Sequence, residues 1–339
     1  MLISTQGDVG DLIFLLNLIR QIPNGPHTLC LRPGGGTKYR TPADLQKLYD
    51  LIAPLALKQP YIAEVRIIGQ DDKVDWASER FREKFYTPGE TLMQAHLNSL
   101  IKIHGIGKDF TSKDPWLLNV EPSPRSKGRI VINRTNRYRN PFFMWSDVVD
   151  HYRHRLLFVG LHHEWREFVG TFGYVDFQPT CNMLEVAELI SGSELFIGNQ
   201  SCANAVNEGL KHRSIQETDL NIPDCIFGRE NGVFCAKGDC ELPDIDGSGS
   251  RKMKFVTNVA QINPSTMPPG GWQYPGMPSQ QHIDAAVTML WRNQRETFET
   301  HERARVAILQ FNADRTPEFF QNVDTGASRY RLAMQSAGF

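Results

Sequence analysis

The chain has 339 residues, 37 Lys and Arg against 38 Asp and Glu, and 40% hydrophobic residues. That length accommodates two domains with separate cores, and the near-cancelled charge of −1 excludes a global field directed at nucleic acid or a membrane. No apolar run reaches the roughly 20 residues of a membrane span, no basic leader precedes the first apolar stretch, and six scattered cysteines in so large a chain read as reduced cytoplasmic thiols.

Leu2–Thr5 reads as a short strand, and Gln6–Gly10 as a glycine turn. From Asp11, the apolar positions Leu12, Leu15, Leu16, Leu18, Ile19 and Ile22 give a helix that Pro23-Asn24-Gly25 stops. Thr28–Arg32 is a second strand, followed by a glycine tract, Gly34-Gly35-Gly36, that lacks the lysine and serine of a phosphate loop. Residues 42–57 read as helix, Val65–Ile68 as strand, 76–85 as a charged aromatic surface segment and 91–104 as another helix. This alternation points to a doubly wound parallel sheet.

Glu121–Gly128 reads as a linker because it is short, Pro- and Ser-rich and nearly devoid of apolar residues. Division there gives an amino-terminal unit, 1–124, a second unit, 129–280, and a carboxy-terminal helix and tail, 281–339. The second unit opens with strand Arg129–Asn133, which empties into Arg134, Arg137 and Arg139 around Tyr138. Three guanidiniums at a strand's carboxyl end suit bidentate phosphate contacts. Leu156–Leu161 is the next strand, ending in His162-His163-Glu164, read as pocket-lining or surface groups because adjacent histidines seldom face one ion. Cys225, Cys235 and Cys240 lie close together but lack the paired spacing of a zinc site, so no metal is expected.

Met183–Ile190 reads as a helix leading into the stretch that organises the chain. Leu195-Phe196-Ile197 has the continuous apolar run of a strand covered on both faces, Gly198 ends it, and Asn199, Gln200 and Ser201 stand where a helix begins. Free N–H groups and a hydroxyl at a helix start form an anion pocket. Glu217, after the short strand Arg213–Gln216, supplies a carboxylate where a ribose diol would need one. Residues 241–281 are rich in Gly, Pro and Ser, an irregular excursion, and Ile283–Gln310 reads as one long amphipathic helix.

Two segments resemble glycosyltransferase family 9, the heptosyltransferase-like enzymes. One is Gly10-Asp11-Leu12-Ile13 between strand and helix, similar to that family's Gly-Asp-apolar motif. The other is Glu194–Ser201, similar to its strand ending in Gly-Asn-Asp-Ser-Gly. The resemblance implies a GT-B architecture of two Rossmann-like domains facing a cleft, with the carboxy-terminal helix crossing back. It also implies inverting, metal-independent transfer of a sugar from a nucleotide-sugar to a hydroxyl of a glycan or related acceptor, with no further cofactor. Asp11 matches the family's proposed base and Asp8 is a rival. Arg134, Arg137, Arg139, Gly198, Asn199, Gln200, Ser201 and Glu217 would hold the donor. Gln200 and Ala205 depart from the family's Asp and His. Three alternatives remain open at this stage. One is a phage-type enzyme acting on hydroxymethylated DNA in a host cytoplasm, with Arg80, Arg82, Lys84, Phe85 and Tyr86 as its DNA groove; the others are a non-catalytic sugar-nucleotide binding module and a nucleotide-sugar epimerase.

Overall fold

The computed structural model describes residues 1–33, 41–78, 91–140, 143–219, 225–227, 229–235, 240–245, 247 and 249–253. The triple glycine, the basic and aromatic run 80–86, and the helix and tail expected over 281–339 lie outside the described residues.

Two parallel sheets carry the chain. The first is built from β1 (Leu2–Thr5), α1 (Val9–Gln21), β2 (His27–Leu31), α2 (Pro42–Leu57), β3 (Ile62–Ile67), β4 (Trp76–Ala77) and α3 (Leu92–His104), in strand order β3-β2-β1-β4. The second comprises β5 (Ile130–Asn133), α4 (Trp145–Tyr152), β6 (Leu156–Phe158), α5 (His162–Phe172), β7 (Asp176–Phe177), α6 (Met183–Gly192), β8 (Leu195–Asn199), α7 (Cys202–Leu210), β9 (Ser214–Glu217) and β10 (Gly232–Cys235). Its order is β10-β9-β8-β5-β6-β7, the doubly wound arrangement in which the chain moves outward from β5 to one edge and then from β8 to the other. In such sheets ligands sit beyond the carboxyl ends of the two strands flanking the reversal, here β1 and β4 in the first sheet and β5 and β8 in the second. A small antiparallel ribbon, β11 (Glu241–Leu242) with β12 (Arg251–Lys252), follows.

The burial explains the pattern of residues. All of β5 and β8 are buried, as strands covered on both faces require. Helix α1 is buried from Asp11 to Ile19 without a break, so it has no solvent face. It lies between the first sheet and α7, and one apolar cluster runs from Ile3 and Leu29 through Leu12 and Leu16 to Phe196 and Val206. Trp116 and Leu117 wedge at this junction. The Trp116 indole N–H donates to Ile13 O at 2.9 Å, and the backbone N–H groups of Trp116 and Leu117 donate to Gly209 O.

Three expectations change. Residues 76–85 do not begin as a surface segment: Trp76 is fully buried, pairing with β1 and donating to Ser99, since a tertiary contact overrides its charged neighbours. The stretch 121–128 contains a tight 3-10 turn at Pro124–Ser126, with Ser126 fully buried and Ser123 N–H donating to Glu188 O of α6. It is therefore packed against the second unit and is not a free linker. Cys235 and Cys240 are joined as a disulfide with their Cα atoms 5.7 Å apart, against the expectation of six reduced thiols. The end of β10 and the start of β11 bring them together. Among the described residues no helix is long and apolar enough to cross a membrane.

Candidate active site

The carboxyl end of β1 leads through Gln6 and Gly7 to Asp8, the cap residue of α1. Asp8 N–H donates to the Asp11 carboxylate at 3.1 Å. A carboxylate reaching back to the cap residue's N–H closes the helix start and meets its positive end. Gly7 is required by this closeness, because a Cβ there would lie 2.6 Å from Asp11 Cβ. The two aspartates differ in exposure: Asp11 is 6% exposed, whereas the Asp8 side chain is 39% exposed.

Opposite them stands the head of α7. Ser201 caps it, and Cys202 sits 3.9 Å (Cα) from where a Cβ on Gly10 would be, so the amino-terminal ends of α1 and α7 meet. No acidic residue occupies the first turn of α7. The Cys202 thiol is pushed up by burial and by the Glu164 charge, with the Ala203 N–H and Arg137 pulling the other way.

The arginine loop arches over this junction and is held from below. Asn199, fully buried at the end of β8, accepts from Thr135 N–H at 3.2 Å and donates to Thr135 O at 3.1 Å and Arg137 O at 2.6 Å. Tyr138 takes a left-handed backbone with φ of 56°, a strained conformation of the kind that gathers at functional loops. The Arg137 guanidinium lies over the Tyr138 ring, 57% exposed, and 3.8 Å from the Asp8 carboxylate. It is the arginine of the three that crosses the gap between the sheets.

Arg134 and Glu217 are the correction. The Glu217 carboxylate has no exposure and accepts from Arg134 Nε and Nη2, from Asn140 N–H at 2.9 Å and from the Trp145 indole at 2.7 Å. Glu217 ends β9 beside Asn199, and its carboxylate is enclosed by these four donors. Arg134, 12% exposed and lying over the Phe172 ring, is its counter-ion. Arg139 pairs with Glu167 at 2.5 Å and remains about one-third exposed. Gly198 is buried in β8 against Asn133, Gln200 accepts Asp219 N–H at 2.7 Å, and Ser201 Oγ donates to Asn133 at 2.6 Å. These side chains shape the turn; at the α7 head Asn204 N–H donates to Ser201 Oγ and Ala203 N–H faces the Cys202 thiol, and the Arg137 guanidinium stands exposed beside it.

A second carboxylate lies beyond the carboxyl end of the sheet, three strands away from Glu217. Glu164 opens α5 just beyond β6, the strand on the other side of β5, and accepts Leu161 N–H at 3.0 Å. Gly160 makes room for it: its φ is 145°, and a Cβ would fall 2.9 Å from Asn133 Nδ2 and 3.1 Å from Glu164 Oε2. Burial pushes the Glu164 carboxyl up, against the Leu161 N–H and the neighbouring His163 and Arg139 charges. The second strand of a doubly wound sheet is where an acidic residue meets ribose hydroxyls, and β6 is that strand here. The His pair drew attention in the sequence. The third residue of the same motif, Glu164, is the one whose charge acts on the Cys202 thiol at the α7 head.

Three similar solved structures are glycosyltransferases. They are E. coli heptosyltransferase WaaC with ADP (12% identity, 69% of this chain and 93% of that chain, TM-score 0.48), E. coli ADP-heptose lps heptosyltransferase II (11%, 73% and 92%, 0.43), and a glycosyl transferase family 9 protein from Veillonella parvula (12%, 63% and 79%, 0.44). No protein-family model and no curated protein matches the chain.

Proposed function

We propose that this protein transfers a sugar from a nucleotide-sugar donor to a hydroxyl acceptor, with inversion, between its two sheets. The observation that carries the proposal is the contrast at the meeting of two helix heads. The α1 head bears Asp8 and Asp11, whereas the α7 head bears no acid and lies below Arg137. The α7 side suits a diphosphate, through backbone N–H groups and a guanidinium. The α1 side suits an alcohol that must lose a proton.

In this reading the ribose hydroxyls meet Glu164, and the diphosphate lies on the α7 head with Arg137 offsetting the charge that develops as it leaves. The aspartate pair supplies the base: it takes the acceptor proton as the oxygen attacks the anomeric carbon from the face opposite the diphosphate. Asp11 holds the motif position, and Asp8 has the more accessible carboxylate. With Arg137 and the helix head assigned to the leaving charge, the step is proposed to need no metal. The acceptor is a glycan or a related hydroxyl compound.

A thermal-shift screen against nucleoside diphosphates and their sugars tests the donor assignment. A ligand at about a hundred times its Kd adds about 2.7 kcal/mol of stability. Indifference to every nucleotide defeats the proposal. Donor turnover that persists in chelator supports the metal-free step, and its loss in Asp11→Asn or Asp8→Asn assigns the base.

A further inference from the structure

We propose that Asp8 is a gate on the donor site: in the ligand-free protein it holds Arg137 across the gap, and the donor's diphosphate must take Arg137 from it. The inference rests on the donor reading above. Asp8 belongs to the first sheet's turn and Arg137 to the second sheet's loop, yet their charged atoms stand 3.8 Å apart. Both ends are fixed by backbone contacts. Asp8 N–H is bound to Asp11, and the Arg137 carbonyl and its neighbour Thr135 are bound to buried Asn199. Only the two side-chain ends therefore need to move when a stronger anion arrives. A diphosphate carries more charge than one carboxylate and also engages the α7 head, so it prevails in this competition. Its arrival leaves the Asp8 carboxylate beside Asp11, on the side where an alcohol would lose its proton. Without the donor, an acceptor meets a carboxylate already neutralised by a guanidinium.

The test is titration calorimetry with ADP, GDP, UDP and CDP at low salt on the full chain. Asn is as good a helix cap as Asp, so Asp8→Asn keeps α1 intact while removing the charge. An ion pair of this exposure corresponds to about a two- to fivefold effect. The nucleotide that the wild type binds should therefore bind Asp8→Asn about two- to fivefold tighter, with Asp11→Asn unchanged. In an Arg137→Ala background, where binding is weaker, the Asp8→Asn gain should vanish. Equal affinity in wild type and Asp8→Asn overturns the gate while leaving the donor reading intact. A gain that survives Arg137→Ala overturns it too, because Asp8 would then act by direct repulsion. No binding to the wild type removes the donor reading and the gate with it.

Discussion

Removal of the Glu217 carboxylate separates a structural from a binding role. In Glu217→Ala the Arg134 guanidinium, 12% exposed, loses a bidentate partner, and Asn140 N–H and the Trp145 indole lose their acceptor. Breaking a buried pair by deleting one partner costs about 3–5 kcal/mol, because the remaining charge stays desolvated. Two stranded donors add to that cost. Against a total stability of about 5–15 kcal/mol, the loss is a large fraction. Thermal and urea unfolding without any nucleotide should show a sharply lower midpoint for Glu217→Ala. Arg134→Met with Glu217→Leu should recover much of it, since an apolar pair of similar size needs no counter-charge. A Glu217→Ala protein as stable as wild type but unable to bind nucleotide would refute this reasoning and restore the carboxylate to the ribose.

Three other outcomes are expected. Gly209→Ala places a Cβ 2.6 Å from Leu117 Cγ and 3.0 Å from the Trp116 indole nitrogen, so it should destabilise by about 1–3 kcal/mol despite the better helix propensity of Ala; an unchanged unfolding midpoint would show that the wedge yields freely. His212, beside Ser193, is pushed down from 6.5 to about 4, chiefly by burial and then by Arg229 and Arg213. The unfolded chain then takes up the proton first, and stability should fall by on the order of 3 kcal/mol as pH drops through that window. His212→Gln should flatten this part of the acid limb, and an identical limb would assign it to other groups. Cys202→Asp puts a carboxylate on the α7 head, where the burial and the Glu164 charge that push the thiol up should cost stability, and in the folded protein it should weaken nucleoside diphosphate binding at least about tenfold. Undiminished binding would place the diphosphate elsewhere.

How much of this was legible in the sequence depended on whether the deciding contact was local. Strand β8 was legible because Leu195-Phe196-Ile197 permits no solvent face, and α1 because its apolar residues continue until Pro23. Three guanidiniums between Arg134 and Arg139 were visible, but their directions were not. Arg134 turns inward because of a carboxylate 83 residues later, and Arg137 turns outward because Asn199 holds its carbonyl. Glu164 carried a usable signal: it follows the carboxyl end of a strand by a glycine and stands on the first turn of a helix. Chain order does not reveal which strand becomes the neighbour of β5, so the sequence cannot rank Glu164 against Glu217. Trp76 and the stretch 121–128 were misread for a related reason, since polar neighbours in sequence say nothing of a sheet or helix that arrives from elsewhere.

The meeting of α1 and α7 gives the two halves unequal charge at the gap. Both helices point their positive ends into the same gap, so without further charge both would attract anions. The carboxylates of Asp8 and Asp11 offset one end and leave the other open, and Arg137 strengthens the open end. A donor placed with its diphosphate at α1 would face two carboxylates, while at α7 it faces N–H groups and a guanidinium. In the proposed reading this polarity would direct the sugar's reacting carbon toward the aspartates, with the acceptor approaching from their side. The buried Arg134–Glu217 pair, the Asn199 contacts and the Trp116 wedge hold that polarity in place, because each anchors one wall of the gap.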